Sequence, residues 1–452
     1  MNIIQNRSRL FLLLFVIIGL PAMTSKGASA HEPDSSAGEN SLYHALTGGK
    51  VDLDLRYRFE YVDDDFAPGG VPLEDAEAST LRTVLGYKTG EFYHFDARLA
   101  IQDVRTIGPD DYNDATGRPN ARTRYAVVAD PSDTDVLEGY LGFNGIPGTK
   151  IKLGRQIITY RDAPFHRFMG TVLWRQNWQV HDAISAVNTY LPDTTINYAY
   201  IWNVNRIFTE EAISPRDNFD SNSHVINIKY NGFSLGTLEA YAYLLDFDNA
   251  AAFSTDTFGI RFSGGYPLND RVKILYAAEY ADQSDSNDNP ADINADYIFG
   301  SGGISFKMNT IIDTLTLKFS YEKLSGDGGA DRFVTILGTN HAFQGWADRF
   351  LITPGDGIED FFVTAIIQSS YGIRFVVDYH QLSSDHDSYD YGDELDLMAV
   401  KNLKNIFPHG EHFTVGLKYA GYDADSNATN IARNGSIAAD TSKFWAWVQF
   451  KY

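Results

Sequence analysis

Residues 150–180 place Lys150, Lys152, Arg155, Arg161, Arg167 and Arg175 against one acid, Asp162. The local charge is +5 in a chain of 452 residues whose formal charge is −22. A guanidinium presents a planar fork of N–H donors that matches a carboxylate or a phosphate through two parallel hydrogen bonds. A basic constriction in a low-dielectric wall would concentrate an anionic solute. Arg118, Arg122 and Arg124 form a second basic knot upstream, and Arg56, Arg58 and Arg98 lie in alternating segments. The candidate pore-lining, anion-binding set is Arg155, Arg167, Arg175, Arg161, Lys152, Arg98, Arg56 and Arg58. The competing reading pairs these cations with the chain's own carboxylates or with lipopolysaccharide phosphates.

Other chemistry is less well supported. An outer-membrane hydrolase would need a nucleophile held near a histidine. His181-Asp182 with Ser185, and Asp378 with His380, are the local candidates. Neighbours on a strand point to opposite faces, so His181 and Asp182 cannot cooperate simply. Asp378 and His380 share a face but lack a nucleophile motif, and no enzyme is expected. Acidic runs at 63–65, 282–296 and 385–393 offer oxygen ligands. Asp285-x-Asn287-x-Asn289 begins like a calcium loop, but Pro290 stands where the turn glycine belongs. The expectation is no metal and no cofactor. There is no Cys, hence no thiolate chemistry, and no phosphate-binding G-x-x-x-x-G-K-[ST] loop. The acidic balance argues against nucleic acid as a partner.

The elements that carry the cations alternate with period two. In residues 50–62, Val51, Leu53, Leu55, Tyr57, Phe59 and Tyr61 share one face, and Asp52, Asp54, Arg56, Arg58 and Glu60 share the other. Lipid outside and water inside explain a wholly charged face opposite an apolar one. The pattern returns at 93–102, 272–280, 315–322, 373–380 and 413–419. It closes the chain in Thr441 to Tyr452, where Phe444, Ala446, Val448, Phe450 and Tyr452 face one way. A final aromatic strand of this kind is a mark of bacterial outer-membrane barrels. Short connections (89–91, 144–148, 191–193, 231–232, 264–270, 308–312, 369–372, 407–410) alternate with long ones (63–77, 105–134, 158–180, 208–222, 324–360). The rhythm threads about eighteen strands, with sixteen the fallback if the strands near 182–190 and 361–367 are lost. The expected fold is all-β: a transmembrane antiparallel up-and-down barrel with short periplasmic turns, long external loops and both ends in the periplasm. Such a barrel is wide enough for an aqueous channel.

Arg7 and Arg9 precede an apolar run, residues 10–20, and Ala28-Ser29-Ala30 follows as a cleavage site. The expected organisation is a signal peptide over 1–30, a periplasmic segment over 31–49 and the barrel over 50–452. Loss of Arg7, Arg9 and Lys26 with the leader takes the charge from −22 to −25.

The run from Ile151 to Ala186 resembles the alginate-export family of outer-membrane barrels. Its marks are Leu153-Gly154-Arg155-Gln156, Arg167-Phe168-Met169-Gly170, Trp174-Arg175-Gln176-Asn177 and His181-Asp182-Ala183. Gly338 to Asp348 also resembles segments of such proteins. The resemblance implies a porin-like pore of about eighteen strands that passes a polyuronate, with Arg155, Arg167 and Arg175 at the motif positions. The short connection 407–410 leaves little room for the long periplasmic plug loop of a dedicated exporter. The expected function is passive passage of anionic solutes, which the resemblance implies are uronate-type poly- or oligosaccharides; the alternatives are a general small-solute porin without a polysaccharide role and an outer-membrane hydrolase. Expected partners are outer-membrane lipid, lipopolysaccharide, an anionic saccharide solute and periplasmic secretion partners.

Overall fold

The computed structural model describes residues 41–119, 121–403, 412–426 and 435–452. The signal-peptide expectation and the connection 407–410 fall outside them. Residues 42–452 form one body. It is a closed antiparallel sheet of 18 strands, in which β1 (Lys50–Asp64) pairs with β2 (Ala76–Lys88) on one side and β18 (Thr441–Lys451) on the other. Between them, in chain order, run β3 (Phe95–Asp111), β4 (Asp133–Ile146), β5 (Thr149–Gln156), β6 (Val180–Asn188), β7 (Thr194–Asn205), β8 (Asn218–Phe233), β9 (Gly236–Leu245), β10 (Thr255–Pro267), β11 (Val272–Asp285), β12 (Asn294–Lys307), β13 (Ile312–Leu324), β14 (Ile358–Ser369), β15 (Ile373–Ser383), β16 (Asp390–Leu403) and β17 (His412–Ala424).

Each strand pairs with its chain neighbours, the meander expected from the sequence. Closure is sealed by reciprocal backbone bonds between Leu53 and Tyr452, at 3.0 and 2.8 Å. Closure leaves no open edge, which a membrane wall requires because lipid cannot satisfy backbone N–H and C=O groups. Both strands doubted in the sequence are present, as β6 and β14. Helix α1 (Leu42–Thr47) precedes β1 at the short-turn end, where the Tyr87 hydroxyl donates to the Leu46 carbonyl at 2.6 Å. None of the helices described is long and apolar enough to cross a membrane.

The outer face carries exposed Leu85, Leu99, Leu141, Leu153, Ile228, Phe258, Ile260, Phe319, Val363, Leu397 and Leu417. An apolar surface of this extent is stable against lipid, not against water. The packed interior lies inside the barrel. There Phe168, from the connection after β5, meets Tyr241, Tyr297 and Phe333 at ring separations of 5.1, 5.5 and 6.1 Å.

Candidate functional site

Two long connections fold into the barrel. Residues 157–179 (loop L3) and 325–357 (loop L7) dock on the charged inner face of the wall and on each other. The wall prepares the docking by register: Lys229, Glu239, Arg261 and Glu279 lie side by side across β8 to β11, an alternating row of charges. Arg161 of L3 closes it. Its Nε lies 3.2 Å from Glu239 Oε1, and its Nη2 lies 2.5 Å from Glu279 Oε1. Burial opposes the Arg161 charge, but Glu279 and Glu239 outweigh it and hold the guanidinium above its ordinary value. The Lys229 ammonium donates to the Tyr160 carbonyl of the same loop.

The rest of L3 lies along β1 and β2. Arg56 donates from Nε to Gln176 Oε1 at 2.8 Å and to the carbonyls of Leu173 and Arg175 at 3.0 and 2.5 Å. Gln176 donates to Thr80 Oγ1 at 2.8 Å. Arg58 pairs with Asp130 and donates to the Trp174 carbonyl. Arg175 reaches Glu60 at 3.1 Å, and Arg167 lies 3.0 Å from Glu322.

L7 docks through its backbone. The amides of Trp346 and Ala347 donate to Asp396 Oδ2 and Glu394 Oε1 at 2.9 and 2.6 Å. Gly345 makes this approach possible. It has φ +82°, and a Cβ there would stand 2.2 Å from Glu394 Oε2. L3 and L7 join directly: Gly170 N donates to Leu337 O, and Thr339 N to His166 O, both at 2.8 Å.

The joint centres on Lys418 of β17. Its Nζ lies 3.7 Å from the Trp346 ring centre and 4.4 Å from that of Trp174, and 2.6 Å from His341 Nε2. His341 Nδ1 lies 2.6 Å from Asp348 Oδ1. An ammonium can only donate and a carboxylate only accept, so this chain assigns His341 as the neutral Nδ1–H tautomer. Burial is the main cause that pushes His341 down to about 3, and Lys418 and Arg175 add to it against the pull of Asp348.

The sequence-derived residues thus fall into distinct places. Arg161, Arg167 and Arg175 enter the barrel on L3 and bind wall carboxylates, while Arg56 and Arg58 lie beneath that loop. Arg98 bridges Asp52 at 2.6 Å and Glu138 at 2.5 Å. These six engage the chain's own acids and carbonyls, the competing reading of the basic block. Lys152 faces inward over the Tyr140 ring at 4.4 Å. Arg155 differs from expectation. It pairs in register with Gly139 and Asp182, on the face of β5 shared with Ile151 and Leu153, opposite Lys152 and Gln156. It holds Asp182 at 2.9 Å and Asp135 at 3.0 Å. Strand alternation puts it on the face opposite Lys152. His181 and Asp182 indeed face apart, and His380 pairs with Asp360 at 2.9 Å. Asp285 and Asn289 accept backbone N–H bonds from Ile293 and Ala291 at 3.1 and 3.0 Å, which shapes their loop.

Three inner-wall cations, Lys273, Lys318 and Arg374, are absent from the sequence-derived set. Lys318 of β13 and Arg374 of β15 carry no ion pair among the described residues, and Asp378 is the acid acting on Lys318. Their positions were readable from the alternation of their strands.

No protein-family model matches the chain, and no curated protein matches it in sequence. Solved structures do match in fold. OccAB2 of Acinetobacter baumannii has a TM-score of 0.67 at 13% identity, over 90% of this chain and 99% of that chain. OpdK of Pseudomonas aeruginosa, solved with vanillate, has a TM-score of 0.64 at 13% identity over the same shares, 90% and 99%. OccD3 (OpdP) of Pseudomonas aeruginosa has a TM-score of 0.62 at 13% identity, over 90% and 92%. The chain folds as a closed 18-strand barrel of the architecture that these porins share. At these identities the likeness is one of fold, and it carries neither alginate export nor polysaccharide passage to this barrel.

Proposed function

We propose that the barrel is a passive channel for small organic anions. The observation that carries this reading is an imbalance on the inner wall below the L3–L7 joint. Lys152, Lys273, Lys318 and Arg374 face the lumen without an ion pair among the described residues, against one such acid, Asp378, whereas Asp52, Asp54, Asp96 and Glu138 are each held by a cation. The unspent charge there is positive although the chain as a whole is acidic. In a low-dielectric wall such an excess raises the local concentration of anions. That OpdK was solved with vanillate, a carboxylate, agrees with the reading.

A polyuronate, the solute implied by the resemblance of residues 151–186, is the competing reading. The joint between L3 and L7 favours the small solute, because its backbone and ring contacts cross the outer half of the lumen where a polymer would have to lie. Reversal potentials of the purified protein in planar bilayers under a KCl gradient test the proposal. Anion selectivity that weakens in Lys318→Gln and Arg374→Gln is the expected result. Cation selectivity, unchanged in those variants, defeats it. Liposome swelling in monouronate but not in oligouronate separates the small solute from the polymer.

A further inference from the structure

The inner wall of a water-filled barrel is expected to be polar, and over β1 to β5 it is. One row across β14 to β16 is not, although Thr364, Asp378 and Asp396 stand in the row beside it. Ile366, Val376 and Met398 stand side by side in register, on the face that carries Lys418 next in the row. Val400 is the next inward residue along β16 from Met398. Across the next row, Val400 pairs with Gly416, and Gly416 with Trp447. The Trp447 indole lies over Gly416: a Cβ there would stand 2.1 Å from its Cζ2. Gly416 is thus the gap that lets an indole lie flat on the wall and extend the apolar surface toward Trp174, 5.4 Å away. Ile366, Met398 and Val400 are only partly buried, so an apolar surface meets the lumen.

Charge borders this surface. Lys318 pairs with Thr364, one inward position before Ile366 on β14. Arg374 pairs with Gln368, one inward position after it, and is exposed. The apolar row therefore lies between Arg374 on one side and Lys318, with Asp378 and Asp396 in its row, on the other; neither cation has an ion pair among the described residues. A polar solute gains nothing from such a wall. A solute with an acid group at one end and an apolar body gains from both parts.

We infer that the β14–β16 wall is a binding step for amphiphilic organic anions, with the acid group on Lys318 or Arg374 and the apolar body on Ile366, Met398 and Val400, beside the buried Val376 and Trp447. The inference rests on the anion-channel reading and narrows its solute class. Hydrophilic sugar acids would pass this wall without dwelling on it.

The test compares two carboxylates built on the same six-membered carbocycle, cyclohexanecarboxylate and the polyhydroxylated quinate, as blockers of chloride current through the full-length protein in planar bilayers. Cyclohexanecarboxylate is expected to half-block at about a tenfold lower concentration, the difference that burial of part of one ring supplies. In Val376→Thr/Met398→Gln the two should converge to within about twofold. In Lys318→Gln both should weaken together. Equal block by the two acids in the unaltered protein overturns the inference while leaving an anion channel in place. A ratio that survives Val376→Thr/Met398→Gln in a barrel that still shifts on heating also overturns it. Cation selectivity, or no conductance, overturns the channel reading itself.

Discussion

The Trp174 indole and the His341 imidazole stack face to face, 5.0 Å apart with their planes 3° from parallel. One ring belongs to L3 and the other to L7, 167 residues later in the chain. Lys418 sits against both, and Asp348 holds the far nitrogen of the imidazole. The two loops are therefore locked to one wall cation. Lys418→Met keeps the length and removes the charge, the His341 bond and the ring contacts. The expected outcome is a looser L7: larger and noisier single-channel conductance, and faster hydrogen exchange at 341–349, with the barrel intact. Conductance equal to that of the unaltered protein would show that the lock does not limit the path.

The same lock gives a pH dependence with a defined sign. His341 is held near 3, below its ordinary value of about 6.5, so between those limits the undocked loop binds more protons than the docked one. Docking is strongest above pH 6.5 and weakens as pH falls toward 3. Asp348 is kept well below the usual carboxylate range, against burial, by His341, Lys443 and Arg175. Its contribution is lost on further acidification, in the same direction. Channel noise should therefore rise from pH 7.5 to pH 4 and do so less in His341→Asn. A flat profile removes His341 from the mechanism.

Arg161 ties the base of L3 to two glutamates on adjacent strands. Arg161→Gln leaves Glu239 and Glu279 with Arg261 as their nearby guanidinium and a buried excess of negative charge. Breaking such a pair costs about 3–5 kcal/mol. The temperature at which the folded band converts in gel electrophoresis should drop. Adding Glu239→Gln should restore part of the loss, because the orphaned charge is then gone; two additive losses would refute the coupling.

The barrel was legible because most strands repeat one constraint, apolar toward lipid and polar toward water, and because short turns alternate with long connections. The count of eighteen and the pairing of residues 441–452 with β1 follow from that repetition. The site was only half legible. The +5 charge of residues 150–180 is a property of the sequence, but whether it faces solute depends on partners such as Glu239, Glu279, Glu322 and Glu60, far away in the chain. Nothing local in residues 157–179 distinguishes a loop that folds inward from one that stands outside. Arg155 is different. The order Ile151, Lys152, Leu153, Gly154, Arg155 already puts it on the apolar face, and reading the block as a charge rather than as a strand hid this.

That contrast yields a prediction in which a family-motif residue matters less than two residues outside any motif. Arg155 spends its charge on Asp182 and Asp135, so Arg155→Gln should leave ion selectivity within error of the unaltered protein. It should lower stability modestly, because two partly buried carboxylates lose their cation. Lys318 and Arg374 have no ion pair among the described residues, so each substitution to Gln subtracts a positive charge from the lumen wall. Chloride-over-potassium permeability should fall in each single variant and fall further in the double variant, while the heat-induced gel shift stays the same. The ranking is the decisive part. If Arg155→Gln changes selectivity and Lys318→Gln/Arg374→Gln does not, the solute path runs along β5 and the inner wall of β13 to β15 is not the selectivity element.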